Sequence, residues 1–298
     1  MIRILKLVNN PRRILVVFLE TTASLWNDKL YIKLHYYANN GECVNIDKPT
    51  TFNDKLNWLK LNYHNPLCTK LADKYLAKEY VSSIVGDVYT VKNLGVWKSF
   101  DEIDFDSLPQ RFVLKATHDS GGVIICKDKA LLNKKSLIKQ ISKIMKKNYF
   151  YKLREWVYKD AEPKIIADEF LDDHSSQELT DYKFWCFNGE PKVMYITNKG
   201  DNIYENFYDM DYNLLDIDHG FPRRKPEYQK PKHFERMKAL AMKLSKGLPF
   251  VRIDFFEVND RVYFGEFTFY DWGGMKSFVN KEWDYKLGSW IKLPNRFV

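Results

Sequence analysis

One stretch of the chain places two carboxylates inside apolar strands, which limits how it can fold. It spans residues 249–275 and reads PFVRIDFFEVNDRVYFGEFTFYDWGGM. The alternation of its side chains predicts two strands joined at Asn259-Asp260. Asp254 lies in the first strand and Glu266 in the second. Acidic side chains are seldom buried without a partner, and Mg²⁺ takes carboxylates together with phosphate oxygens. The stretch therefore predicts a metal-binding hairpin.

The length of the connecting loop decides whether the two carboxylates can share an ion. A two-residue turn pairs Asp254 with position 265 and puts Glu266 on the opposite face. A three-residue loop over 259–261 pairs Asp254 with Glu266, with Cβ atoms roughly 5 Å apart on one face. We therefore predict the three-residue loop. The alternative is an ordinary surface hairpin in which Arg252 pairs with Glu266.

The chain is basic, with a net charge of +8 over 298 residues and a pI near 9.0. The charge is concentrated in Lys127–Arg154 and Arg223–Lys246. Such surfaces suit polyanions, phosphorylated substrates or an anionic membrane face. No basic-aromatic stripe or known module indicates nucleic acid.

Cysteine and histidine spacing excludes the common zinc motifs. The four cysteines form no CxxC pair and the six histidines form no HExxH. A reducing, cytoplasmic location is favoured over a disulfide framework. The apolar run ILVVFLE at residues 14–20 is too short to cross a membrane. It is expected to form a buried or an interfacial helix, so peripheral contact with the inner face of a membrane is possible.

Helix signals precede the first strands. Thr51 or Asn53 is expected to cap a helix. Residues 70–81 are expected to continue in helix, with Asp73 and Lys74 as an exposed pair.

A second hairpin, over residues 111–129, carries a glycine-containing loop. Backbone N–H groups of such a loop can approach phosphates because no Cβ intervenes. Lys115 lies on the preceding strand, from which its ammonium group can reach a phosphate oxygen. Lys183, in the strand of a later Asn-Gly hairpin, is either a similar ligand or solvated. No GxxxxGK[ST] motif is present.

Seven segments in this order resemble the TupA-like (teichuronopeptide biosynthesis) ATP-grasp family, which is associated with bacterial surface-polysaccharide genes. The resemblance covers roughly residues 30–290. The segments are PTTFNDKLNWLKL, ADKYLAKEYV, LPQRFVLKATHDSGG, REWVYKD, IIADEFL, ELTDYKFWCFNGEPK and VRIDFFEVNDRVYFGEFTF. The resemblance implies an α/β (α+β) ATP-grasp fold in which two lobes hold the nucleotide between them.

The resemblance also implies domain boundaries. A helical N-terminal region would span residues 1–70 and the ATP-grasp domain residues 71–298. Within that domain the small lobe would cover about 88–167 and the large lobe about 168–298.

The family pattern assigns roles to residues of this chain, with ATP and Mg²⁺ as cofactors. The residues implied to contact phosphates are Lys115 and Lys183, covered by a loop with His118, Ser120, Gly121 and Gly122. The interlobe hinge beside adenine would be Asp168, Glu169, Phe170 and Leu171. The implied metal ligands are Asp254, Glu266 and Thr268, and the implied catalytic residues are Arg252 and Lys183. Two departures are Thr268, where wider relatives usually have Asn, and Asp119, a carboxylate beside the phosphate position.

The implied function is an ATP- and Mg²⁺-dependent carboxylate–amine ligase that acts through an acyl phosphate in capsule, O-antigen or cell-wall polysaccharide modification. The implied acceptor is an anionic carbohydrate or a lipid-linked saccharide, with an amine such as an amino acid as the second substrate. One alternative is a sugar-nucleotide glycosyltransferase that uses Asp209-Met210-Asp211. The others are a kinase on the same fold and a non-catalytic binding module. Lys115, Asp254 and Glu266 argue against the binding module.

Overall fold

Two antiparallel sheets organise the part of the chain that the computed structural model describes, residues 11–172, 179–197 and 203–295. The smaller sheet has the order β1-β4-β2-β3, with β1 at Asn93–Trp97, β2 at Phe112–Ala116, β3 at Val123–Cys126 and β4 at Ile165–Glu169. The larger sheet has the order β10-β9-β5-β6-β7-β8. Its strands are β5 at Asp181–Phe187, β6 at Glu190–Thr197, β7 at Glu205–Tyr208, β8 at Leu214–Leu215, β9 at Phe250–Val258 and β10 at Arg261–Thr268.

Five of the described helices precede the small sheet in the chain, and four follow its third strand. They are α1 at Pro11–Thr21, α2 at Asp28–Asn40, α3 at Phe52–Asn62, α4 at Pro66–Ala72, α5 at Lys74–Val85, α6 at Lys134–Met145, α7 at Phe150–Leu153, α8 at Phe234–Leu244 and α9 at Lys281–Trp290. The first ten residues of the predicted N-terminal region lie outside the described ranges. None of the described helices combines the length and apolar character that a bilayer span requires.

The helix boundaries follow from side-chain capping. Thr51 caps α3 in a capping box with Asp54, as the sequence predicted. The predicted continuous helix over 70–81 is wrong. Asp73 interrupts it, because its carboxylate accepts hydrogen bonds from the backbone N–H groups of the next helix, at 2.9 and 2.8 Å. Asp73 is buried, and Lys74 is half-buried rather than exposed.

The core lies between the large sheet and helices α3 and α8. Phe52, the first residue of α3, packs its ring 5.3 Å from Trp185 and 5.0 Å from Phe250, measured between ring centroids. α8 buries Met237, Leu240, Ala241 and Leu244. On α1, by contrast, Ile14 and Phe18 are exposed while Leu19 is buried. Contact of α1 with a membrane stays a prediction.

The hairpin of β9 and β10 differs from the prediction in the length of its turn, but it still places the two carboxylates on one face. The turn is the two residues Asn259 and Asp260, both in the left-handed region with φ of 49° and 62°. The predicted three-residue loop is therefore wrong. A β-bulge at Gly265 nevertheless shifts the register, so that Glu266 lies opposite Asp254. The two carboxylates share one face as predicted, by a different mechanism.

The bulge depends on the absence of a side chain at Gly265. A Cβ there would lie 3.0 Å from Cε2 of Phe256 and 3.1 Å from the carbonyl oxygen of Asp254. One of these atoms would have to move, which would disturb the position of Glu266.

We expect Gly265→Ala to lower the free energy of unfolding by about 1–3 kcal/mol, because it overpacks a close contact. Urea denaturation measures this. Arg261→Ala, at the exposed end of the same strand, is the control and should change stability by no more than about 0.5 kcal/mol. Equal midpoints for Gly265→Ala and the wild type would contradict the crowding argument.

Candidate active site

The guanidinium group of Arg252 organises one cluster of side chains through five hydrogen bonds. Nε and Nη2 donate to the two carboxylate oxygens of Asp254, at 2.7 and 2.8 Å. Nη2 also donates to Glu266 at 2.9 Å, and Nη1 donates to Asp271 at 2.8 Å and to the hydroxyl of Tyr195 at 3.3 Å. These five bonds use every N–H of an arginine side chain. Arg252 therefore holds three carboxylates together. One of them is Glu266, so the ion pair of the alternative interpretation is also present.

Lys183 faces the same carboxylate from the neighbouring strand. It is paired with Asp254 across β5 and β9, and its ammonium nitrogen lies 2.6 Å from Asp254 Oδ2 and 3.4 Å from Asp181 Oδ2. Lys183 is buried, so it is not the solvated lysine of the alternative reading. Burial favours the neutral form of Asp254, but Arg252 and Lys183 outweigh it and hold the pKa of Asp254 below its usual value.

This donor set fits a magnesium ion in charge and chemistry. Two cations face four carboxylates in the cluster, so the formal sum is −2. One nitrogen of Arg252 bridges Asp254 and Glu266, which shows that their oxygens converge on one cation. Within the described ranges no three His, Cys, Asp or Glu side chains form a metal-binding group. Phosphate oxygens and water would have to complete the coordination, as is usual for Mg²⁺. Thr268 donates to Glu266 at 3.3 Å and so orients that carboxylate; its metal contact stays a prediction.

A second cluster forms around Asp168, at the end of the small sheet. Lys115 from β2 lies 2.9 Å from its Oδ2, and Lys78 from α5 contacts its Oδ1. Burial of Asp168 favours the neutral acid, but the two lysines outweigh it and lower the pKa of Asp168. Asp168 was predicted as a hinge residue beside adenine. Its carboxylate is engaged by two lysines that would otherwise repel each other.

The sequence analysis assigned no role in the site to two lysines of α5. Lys74 and Lys78 are four residues apart and so lie on one face of the helix. The ammonium group of Lys74 contacts the carbonyl oxygen of Asp119, and Glu266 and Asp119 both act on it electrostatically. Burial nonetheless lowers the pKa of both lysines. Their spacing within ADKYLAKEYV was the signal, and the expectation of an exposed pair obscured it.

The loop between β2 and β3 resolves the unusual position of Asp119. Its carboxylate accepts a hydrogen bond from the N–H of Gly122 at 3.0 Å, and a Cβ at Gly122 would lie 2.7 Å from that oxygen. Asp119 therefore closes the loop internally. Ser120 and Gly121 form its exposed tip, where they can approach a phosphate. The ring of His118 is buried, and burial lowers its pKa; its phosphate contact stays a prediction.

A cleft of about 560 Å³ opens beside these clusters. The hinge residue Glu169 lines it, together with Lys78 and with Tyr263 of β10. Tyr263 pairs with Phe256, two residues beyond Asp254 on the same strand. Of the other hinge residues, Phe170 carries the guanidinium of Arg111 at 4.2 Å from its ring centroid, and Leu171 is half-buried. The cleft is large enough for a small ligand, and Tyr263, which lines it, lies on the same strand as Glu266.

Sequence comparison decides the family. The sequence model described as TupA-like ATPgrasp matches residues 54–292. The chain belongs to the TupA-like ATP-grasp family. The predicted family and fold class are thereby confirmed; the predicted lobe boundaries and residue roles stay predictions. Comparison of this ATP-grasp chain with curated proteins found no match.

Solved structures that show a limited similarity to this chain include two ligases and a synthase. D-alanine–D-alanine ligase from Helicobacter pylori is 18% identical, with a TM-score of 0.42, over 74% of this chain and 61% of that one. The Bacillus anthracis enzyme complexed with ATP is 14% identical, with a TM-score of 0.40, over 66% and 54%. N5-carboxyaminoimidazole synthase from Aspergillus clavatus is 12% identical, with a TM-score of 0.39, over 67% and 44%. The ATP-grasp chain thus spans less than two thirds of each of these structures.

The segment behind the glycosyltransferase alternative is a turn at the edge of the large sheet. Oδ1 of Asp209 accepts hydrogen bonds from the N–H groups of Asp211 and Asn213, at 2.9 and 2.8 Å, and Oδ2 accepts one from the Asn213 side chain at 3.0 Å. These bonds hold the pKa of Asp209 below its usual value although partial burial opposes them. The carboxylate therefore has a structural role, which weakens its interpretation as a metal ligand.

We expect Asp168→Asn to destabilise the protein by about 3 kcal/mol at pH 7, because it leaves buried lysines without a counter-charge. The pKa of Asp168 is lowered on folding, so its stabilising effect is present above its usual pKa of 3.8 and is lost as the pH falls below that value. The difference between mutant and wild type should therefore shrink from pH 5 to pH 3. Urea denaturation across this range measures it, with Asp160→Asn, at an exposed position, as the control. A constant difference would contradict the assignment.

Proposed function

We propose that this chain is an ATP- and Mg²⁺-dependent ligase that joins a carboxylate to an amine through an acyl phosphate. The observation that carries the proposal is the pairing of Asp254 with Glu266 on one face, between Arg252 and Lys183. This arrangement concentrates negative charge where a metal ion can bind. It also places two fixed cations where phosphoryl oxygens would arrive.

ATP binding is supported by lysines in the cleft and in the two clusters. Lys78 lines the cleft and shares Asp168 with Lys115, and Lys183 pairs with Asp254 in the other cluster. Lys74 lies between the two clusters, since both Glu266 and Lys115 act on it electrostatically. Four ammonium groups from a helix and two sheets can therefore follow the phosphates of a nucleotide whose base occupies the cleft.

Catalysis would rest on positioning and charge neutralisation. Asp254 and Glu266 would hold the metal ion, which supplies charge neutralisation at the phosphate oxygens when bound. If Asp254 and Glu266 held a metal ion, N–H groups of Arg252 that now donate to these carboxylates would become free. The freed guanidinium can bind a carboxylate or a phosphoryl group with two parallel hydrogen bonds, which a lysine cannot do. Asp271 and Tyr195 would keep the group in place during this exchange.

The proposed ligation has two chemical steps. A substrate carboxylate oxygen attacks the γ-phosphorus of ATP, the bond to the β-phosphate oxygen breaks, and ADP leaves. An amine nitrogen then attacks the acyl carbon, inorganic phosphate leaves, and the amine gives up one proton. No protein nucleophile is required. We propose an anionic carbohydrate or lipid-linked saccharide as one substrate, supported by the net charge of +8.

We expect ADP with Mg²⁺ to stabilise the wild type, by about 2.7 kcal/mol at 100 times its Kd. Glu266→Gln should abolish this effect, because it removes a charged ligand from a partly exposed position. Thermal denaturation measures the shift. Asp209→Asn is the control and should respond like the wild type. Stabilisation by a sugar nucleotide with Mn²⁺ alone, lost in Asp209→Asn, would support the glycosyltransferase instead.

Product analysis separates ligation from phosphorylation of a hydroxyl group. With ATP, Mg²⁺ and a hexuronic acid oligosaccharide, we expect hydroxylamine to trap the acyl phosphate as a hydroxamate, which mass spectrometry detects. Asp254→Asn should lower the yield at least 100-fold, because it removes a metal-binding charge. A stable phosphorylated saccharide without hydroxamate would identify a kinase.

A further inference from the structure

The turn that follows β10 holds an exposed tryptophan in a strained conformation. Trp272 is 40% exposed and has φ 48° and ψ 28°, a left-handed conformation that is unusual for a bulky residue. Asn57 of α3 donates to the carbonyl oxygen of Gly274 at 2.7 Å. The buried ammonium group of Lys60 contacts the carbonyl oxygen of Gly273. Such strain persists only where the surroundings enforce it, and it is concentrated at functional sites.

Trp272 forms a platform with two neighbours. The ring of Phe221 stacks on it, with centroids 5.5 Å apart and an interplanar angle of 28°. The ammonium nitrogen of Lys276 lies 4.1 Å from the Phe221 centroid and 6.0 Å from that of Trp272. Burial lowers the pKa of Lys276, while Glu205 and Asp218 act against this effect. We call Phe221, Trp272 and Lys276 the aromatic platform.

The strands place this platform at the far end of the site from the cleft. Phe256 pairs with Tyr263, which lines the cleft, and Arg252 lies four residues earlier on the same strand. Four residues of a strand span about 13 Å. Beyond Arg252 comes Asp271, which accepts its hydrogen bond at 2.8 Å, and Trp272 follows directly. In phosphoryl transfer the attacking and leaving oxygens lie roughly in line. An acceptor would therefore approach from the side of Trp272, opposite ADP.

We propose that the aromatic platform is the acceptor subsite and binds a pyranose ring of a hexuronic acid saccharide. The proposal rests on the proposed function, because the position of ATP determines the side from which the acceptor approaches. The C–H face of a pyranose is apolar and gains free energy by leaving water for the exposed face of the indole. The ammonium group of Lys276 pairs with a saccharide carboxylate beside the one that is activated. The turn presents the indole rigidly, so little side-chain entropy is lost on binding.

Isothermal titration calorimetry with a tetragalacturonate tests the platform, with maltotetraose as the uncharged probe. Trp272→Gly removes the ring and also relieves the positive φ, so it should not unfold the protein. We expect it to weaken tetragalacturonate binding at least tenfold, while Trp272→Phe stays within threefold of the wild type. Lys276→Gln should weaken binding of tetragalacturonate about tenfold and leave that of maltotetraose unchanged. Tyr285→Ala, at an exposed aromatic residue of α9, is the control and should bind like the wild type.

Thermal denaturation with ADP and Mg²⁺ on the same variants separates this proposal from the one on which it rests. If ADP with Mg²⁺ stabilises both the wild type and Trp272→Gly, and tetragalacturonate binds neither or both equally, the platform is overturned and the proposed function stands. If tetragalacturonate binding depends on Trp272 and no protein responds to ADP, the proposed function fails and the platform stands as a saccharide site.

Discussion

The buried carboxylate of Asp254, held between Arg252 and Lys183, is the interaction on which the arrangement of the site depends. A buried carboxylate is costly unless cations and hydrogen-bond donors surround it. Lys183 supplies one cation from β5 and Arg252 the other from β9 itself. In the order β10-β9-β5, Asp254 on the middle strand pairs with Lys183 on one neighbouring strand and with Glu266 on the other. The strand pairing that supplies Asp254 with a cation thus also brings Asp254 and Glu266 together, where a metal ion would bind.

The N-terminal helices contribute to the site through buried polar groups. The ammonium group of Lys60 is 3.0 Å from both Asn57 Oδ1 and the carbonyl oxygen of Leu153, and it contacts Gly273. Burial lowers its pKa, and burial raises the pKa of the neighbouring Glu155, each to about 7. Loss of any partner would leave one of these groups unsatisfied in the interior. The helices therefore fix the turn that presents Asp271 and Trp272.

Asp168 connects parts of the chain that are distant in sequence. It joins a lysine of α5 to a lysine of β2, and its own strand lies between β1 and β2. A relative movement of the small sheet and α5 would have to separate these charges.

Local patterns in the sequence were sufficient for the strands of the three hairpins, β2–β3, β5–β6 and β9–β10, for the capped helix at Thr51 and for the candidate carboxylates, because alternation and capping depend on neighbouring residues. They did not predict β7 and β8. Seven ordered segments were sufficient for the family. The tertiary structure alone decided the register of the hairpin: a two-residue turn and a three-residue loop were both compatible with the sequence, and only packing against Phe256 and Asp254 shows why Gly265 forms a bulge. It also decided that Lys74 contacts Asp119, that Lys78 contacts Asp168 and that Trp272 stacks on Phe221, since these contacts join segments that are far apart in the chain.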